Sequence, residues 1–263
     1  MESKNPVFGR ARQQRAGWAG PAPSPDTLRN MYDAPSYAPP APPAYRAMTL
    51  DDVVVRGFLT LGALVVAAAA TWVLNVPPMV AVGAAVVALI LGLIASFTQS
   101  TNPALILGYA VFEGVFLGKI SQLFEGAISG IVFQAVLGTA FAFGAVLTVY
   151  SLRVVRVTPK LVRYGMAAAI AVVGLVLVNL LVGIFNGVGL GLRTDSPLGY
   201  IFSIVMILIG CFFLLLDFDS IEQGVRQGVP DKFAWQCAFG LMLSLVWIYL
   251  EVLRLISYFT GDD

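Results

Sequence analysis

Hydrophobic positions along this chain do not alternate or recur in stripes; they come in long blocks. Apolar runs cover about residues 54–74, 78–98, 103–123, 129–151, 164–186, 198–218 and 235–258. Each is about 20 residues or slightly longer, which as an α-helix rising ~1.5 Å per residue crosses ~30 Å of hydrocarbon. Helix breakers punctuate them: Pro77-Pro78, "TNP", Gly126 to Gly130, Pro159, "NGVGLGLRTDSP" and "QGVPDK". The pattern predicts seven transmembrane helices in an all-α polytopic membrane protein. The first begins at "MTLDD", where Thr49 followed three residues later by Asp52 has the spacing of a capping box. The seventh run carries two charges, so a re-entrant segment is the alternative to a full crossing there.

Residues 1–48 follow a different rule. Nine of the fifteen prolines lie in them, and "SYAPPAPPAYR" cannot continue as a helix because proline lacks the amide donor and clashes with the preceding turn. The sequence predicts a disordered Pro/Ala-rich tail over 1–48. It has no apolar h-region, so it does not read as a cleaved signal peptide. "PPAY" (Pro42–Tyr45) matches a proline-motif ligand pattern, one that a short proline-rich tail also produces by chance. The helical domain is expected over 49–258, followed by a short acidic tail at 259–263.

Composition sharpens the class. Of 263 residues, 58% are hydrophobic and 12% charged, with mean hydropathy +0.84; a soluble domain carries about 25% charged residues. There is no histidine, which excludes His metal sites, Ser-His-Asp triads and the usual proton switch of neutral pH. Cys211 and Cys237, the two cysteines, lie in apolar runs and read as packing residues. Of the sixteen Lys and Arg, three (Lys119, Arg193, Arg254) fall on one side or in that half of the spans. The other thirteen fall on the side of the N-terminus, four of them in "LRVVRVTPKLVR" between the fourth and fifth spans. The positive-inside bias then puts the N-terminus in the cytoplasm and the C-terminus outside, in a cell (plasma) membrane. That bias accounts for the basic residues, and no nucleic-acid surface is read from them.

Chemistry is sought where charge lies in lipid, since an ionised carboxylate at mid-bilayer costs roughly 2.5–3.5 kcal/mol on insertion scales. Glu113 is at the centre of span three and must face the bundle; it reads as a structural acid bonded to a neighbouring helix or as a proton or cation position. Glu251 in span seven has Arg254 three residues on, within pairing reach. Ser244, seven residues before Glu251, lies on the same face of that helix. Asp217 and Asp219 at the end of span six are about 200° apart and cannot both face the core. Asp219 and Glu222 form one acidic face, expected at the cytoplasmic border, and Asp217 the opposite, inward one. Gly114 and Gly118, with Ser121, make a small-residue stripe suited to close helix contact. Gln134, Asn179 and Asn186 read as interhelical hydrogen-bonding groups.

Four segments carry a family likeness: "NPVFGR", "NPALILGYAVFEGVFLGKIS", "LDFDSIEQGVRQGVP" and "LVWIYLEVLRLIS". With the seven short-looped spans, the chain over about 49–258 resembles the Bax inhibitor-1 family (transmembrane Bax inhibitor motif proteins), in an actinobacterial-type branch. The resemblance implies six helices around a central one, and a pH-sensitive calcium leak gated by two aspartates that share a proton, one on span six and one on span seven. Asp217 matches the first. Counting back ten residues from Arg254 puts Ser244 where the second is expected, and span two has no arginine to latch the pair. Either Asp219 meets Asp217 through a locally unwound helix end, or Glu251 and Glu113 supply the missing charge.

The reading that results is a non-enzymatic cation (calcium) leak or transport pathway. Asp217, Asp219, Glu113, Glu251, Ser244 and Arg254 form its pathway or gate, and Asp217 with Glu113 are its candidate calcium ligands, calcium favouring several oxygens. No cofactor is expected beyond calcium as permeant ion; the partners are lipid, cations and protons. The alternative is a membrane-embedded regulatory protein that binds other membrane proteins, such as proteases or division machinery, without transport.

Overall fold

The structure is a computed structural model that describes residues 24–26, 29–30, 45–187 and 189–260. From Tyr45 onward it consists of seven helices: α1 (Leu50–Val73), α2 (Pro78–Thr98), α3 (Pro103–Ala127), α4 (Ile131–Ser151), α5 (Pro159–Asn186), α6 (Pro197–Gln227) and α7 (Phe233–Thr260). All seven are long and apolar enough to cross a membrane. The protein is an all-α polytopic membrane protein, as the sequence blocks predict. The seventh span, posed as a possible re-entrant segment, is an unbroken helix of 28 residues.

Three of the helix starts follow one recipe. Asn102, Thr158 and Ser196 each precede a proline at the first helical position, and their side-chain oxygens accept from Ala104 N (3.0 Å), Leu161 N (3.2 Å) and Gly199 N (3.2 Å). A short polar cap satisfies an orphan amide while proline, preset for helical φ, needs no donor there. Thr49 forms the capping box with Asp52, its side chain accepting from Asp52 N at 3.3 Å. The α4 start lacks such a cap. Instead the Glu125 carboxylate reaches from α3 and accepts from Gly130 N (2.6 Å) and Val132 N (3.0 Å).

Helix α7 takes the central place that the resemblance implies, packed against α1, α3, α4 and α6. The ring around it is incomplete, since α2 packs chiefly on α3, and α5 on α6. The main core joins Leu64 of α1, Ala88 and Ala95 of α2, Ile106, Tyr109 and Leu117 of α3, Ala135 of α4 and Met242, Val246 and Leu253 of α7. Gly114 and Gly118 allow α3 to touch the α1 backbone: a Cβ at these positions would lie 2.3 Å from Leu64 O and 2.4 Å from Ala68 O. The small-residue stripe therefore has α1 as its partner. Ser121, on the same stripe, bonds the Tyr249 hydroxyl of α7 at 2.6 Å, which ties α3 to the central helix.

Two boundaries differ from the sequence reading. The tail was expected to run to residue 48, but the packed unit begins at Tyr45, and Met48 is only 2% exposed. At the other end α7 runs to Thr260, two residues past the expected limit, and 261–263 lie outside the described residues, as does most of 1–44 including Pro42–Ala44. Asn179 also differs from expectation. Its Oδ1 accepts from Leu190 N (2.8 Å) in the loop after its own helix, where it ties down a turn in place of bridging two helices.

Candidate functional site

Helix α6 has 31 residues, ~46 Å of helix, so it is longer than a hydrocarbon core is thick. Asp217 lies twenty residues, ~30 Å, from its start. The helix runs unbroken through Asp217 and Asp219, and the two side chains part as their spacing requires. Asp219 turns outward and accepts from Gln223 Nε2 at 2.5 Å. Glu222 accepts from the Tyr150 hydroxyl of α4 and lies 3.6 Å from Arg226. The locally unwound helix end that would bring Asp219 to Asp217 does not occur.

Asp217 faces α7. The Ser244 hydroxyl donates to its Oδ2 at 2.5 Å. Its Oδ1 lies over Gly240, at 2.7 Å from where a Cβ on that residue would stand. Residues 240 and 244 are one turn apart and so share a face. Together they form a cradle in which glycine gives the carboxyl room and serine gives it a donor. No ion pair of Asp217 occurs among the described residues. The two positions singled out from the sequence, Asp217 and Ser244, thus meet across the α6–α7 seam.

The other candidate acids are elsewhere. Glu251 is seven residues beyond Ser244, ~10 Å along α7 toward the opposite end, and is 5% exposed. Arg254 Nη1 donates to its Oε1 at 2.8 Å, as the spacing suggested. Arg193, from the loop between α5 and α6, reaches the same oxygen at 3.4 Å. The sequence reading missed Arg193, which is 58 residues away along the chain, with no local spacing to signal it. Oε2 of Glu251 has no hydrogen-bond partner among the described residues. Glu113, on α3, is partly buried beside the Tyr109 hydroxyl one turn earlier. The Tyr109 ring in turn packs edge-on against Phe239 of α7, their centroids 5.2 Å apart. Lys119 does not reach Glu113; it is buried and donates to Gln122 Oε1 at 2.9 Å.

Asp217, Glu113 and Glu251 therefore occupy three separate settings: an α6–α7 cradle, an α3 turn and an arginine clamp. Among the described residues no three acidic or cysteine side chains gather as metal ligands would. One surface depression, lined in part by Thr158, Arg163, Asp219 and Gln223, lies beside Asp219 without including Asp217.

Comparison with known proteins agrees with this architecture. The family model described as "Bax inhibitor 1 like" matches residues 5–261. An uncharacterized membrane protein of Streptococcus pyogenes serotype M1 is 26% identical over 182 residues, covering 68% of this chain and 74% of the relative. Another, from Streptococcus pyogenes serotype M3 (strain ATCC BAA-595 / MGAS315), is 29% identical over 185 residues, with the same coverage of each chain.

Proposed function

Because the chain belongs to the Bax inhibitor 1 like family, we propose that it conducts cations, calcium among them, across the membrane, with Asp217 as the group that gates the pathway. One observation carries this reading: Asp217 directs its carboxyl into a helix seam, with a hydroxyl and a glycine for company and, among the described residues, no arginine or lysine paired with it. Acids in that position are costly in lipid and are kept where ions or protons pass. Carboxylate and hydroxyl oxygens are the ligands that calcium takes. Protonation converts Asp217 from a charged acceptor into a neutral donor, which would reset its bond to Ser244 and with it the fit of α6 on α7. The Ser244 hydroxyl fills the place of a second carboxyl but cannot share a proton as one would, so the gate titrates through one acid. Glu251, held by two arginines, is the outer tie of α7, and Glu113 is the second oxygen site deeper in the bundle.

The many basic residues at the end that carries the α4–α5 loop support placing that end, and the N-terminus, in the cytoplasm of a plasma membrane. The test is calcium entry into dye-loaded liposomes containing the full chain, measured across pH. Wild type is expected to show pH-dependent flux, and Asp217→Asn to lose that dependence. An identical pH profile in Asp217→Asn, or no flux above empty liposomes, overturns the proposal.

A further inference from the structure

The five residues before α1 form a strap. Met48 N donates to Val229 O at 2.8 Å, and Asp231 N donates to Arg46 O at 2.9 Å, so the segment pairs antiparallel with the α6–α7 loop, bridging Ala47 to Pro230. The loop can present this edge because Gly228 ends α6 in the left-handed region at φ 64°, which turns the chain back on itself. Arg56, two turns into α1, locks the arrangement from the side. It donates to the Asp231 carbonyl, pairs with the Asp231 carboxylate at 3.1 Å and lies 5.6 Å from the centre of the Trp235 ring.

What the strap holds in place is Met48. Its side chain packs among Val53, Ile221, Ala234 and Cys237. Gly224 makes room for it: a Cβ there would stand 2.7 Å from the Met48 methyl. Cys237, Gly240 and Ser244 follow one another at helical spacing along one face of α7. Met48 therefore closes the α6–α7 seam at its basic end, directly below the cradle that holds Asp217. A polar residue or a bare backbone there would leave the seam open to water. Met48 instead puts a flexible apolar side chain, suited to filling an irregular gap, in its mouth.

We propose that residues 45–49 are an inner plug: with the strap paired, Asp217 is sealed from the basic end, and release of Met48 opens the seam to water and ions. Cys237 lies between plug and cradle, so its accessibility reports the plug directly. This bears on the permeation reading only through access to Asp217, and the measurement does not depend on flux.

The experiment uses the full chain in lipid nanodiscs, treated with a charged, membrane-impermeant maleimide, with modification of Cys237 and Cys211 resolved by mass spectrometry. Cys211, on α6 away from the strap, reports general loosening of the bundle. Met48→Ala and, separately, Arg56→Gln are expected to speed Cys237 modification about tenfold or more, as opening of a local unit does, with Cys211 unchanged. The swap Arg56→Asp with Asp231→Arg is expected to slow it again. An unchanged Cys237 rate in both single variants, or an equal acceleration at Cys211, overturns the plug. Opening of Cys237 in these variants, with calcium flux in wild type and variants alike no higher than in empty liposomes, keeps the plug and removes the permeation reading.

Discussion

Gly240→Ala tests the Asp217 cradle with one methyl group. The added carbon would stand 2.7 Å from Asp217 Oδ1 and 3.4 Å from its Cγ, so the oxygen must retreat by roughly 0.7 Å or more to reach ordinary contact. The carboxyl cannot turn away and also keep its 2.5 Å bond from Ser244. Loss of a hydrogen bond to a charged group costs about 1.5–3 kcal/mol, whereas alanine in place of glycine gains at most ~1 kcal/mol of helix propensity. The net expectation is a loss of about 0.5–2 kcal/mol. In a Ser244→Ala background the bond is already gone, so the same methyl should stabilise by up to ~1 kcal/mol. The coupling between the two substitutions is then about 1.5–3 kcal/mol. The assay is reversible unfolding of the purified protein in mixed micelles, run as a double-mutant cycle. Gly62→Ala and Gly174→Ala serve as references, because a Cβ at either meets nothing within 4 Å. If Gly240→Ala matches those references, or if its cost is the same with and without the Ser244 hydroxyl, the cradle does not exist as described.

Other expectations follow from the same contacts. Replacing both Gly114 and Gly118 by alanine pushes methyl groups into the α1 backbone, where no rotamer change relieves them. After allowing for helix propensity, a loss of about 2 kcal/mol is expected, a shift of roughly 30-fold in the unfolding equilibrium that the same denaturation assay would register. Arg193→Ala leaves Glu251 with Arg254 alone, and Arg193 with Arg254 both replaced leaves a buried carboxylate without a partner. The single change should cost about 1–2 kcal/mol and the double at least about 3 kcal/mol, with Glu251→Gln in the double background recovering most of it. Failure of that rescue would show that the arginines matter for some reason other than the charge of Glu251.

How much of this was legible beforehand differs by feature. The α3 stripe could be read because close approach demands glycine, yet nothing in it names α1 as the helix approached. The opposed directions of Asp217 and Asp219 followed from a turn of 3.6 residues. That Asp217 meets Ser244 was legible only through the family likeness that aligned them. The Tyr109 hydroxyl stands one turn before Glu113, a spacing readable along the helix, but Arg193 and the burial of Met48 gave no local signal. Met48 in particular lies at the border of a proline-rich tail, whose composition argues for disorder right up to the residue that is pinned.

The division has a physical cause. Sequence alone determined that this chain makes seven spans, where each begins and which end carries the positive charge, because hydrocarbon thickness, orphan backbone groups and the insertion bias act on each segment separately. Only the tertiary structure decided which faces touch. A span can turn an apolar face to lipid or to another helix at nearly the same hydrophobic free energy, so apolar pattern does not mark the packed side. The choice is made by small residues, a few hydrogen bonds and ion pairs between segments far apart in the chain: α1 on α3 through two glycines, α6 on α7 through Asp217 and Ser244, and the strap on the loop through Arg56 and Asp231.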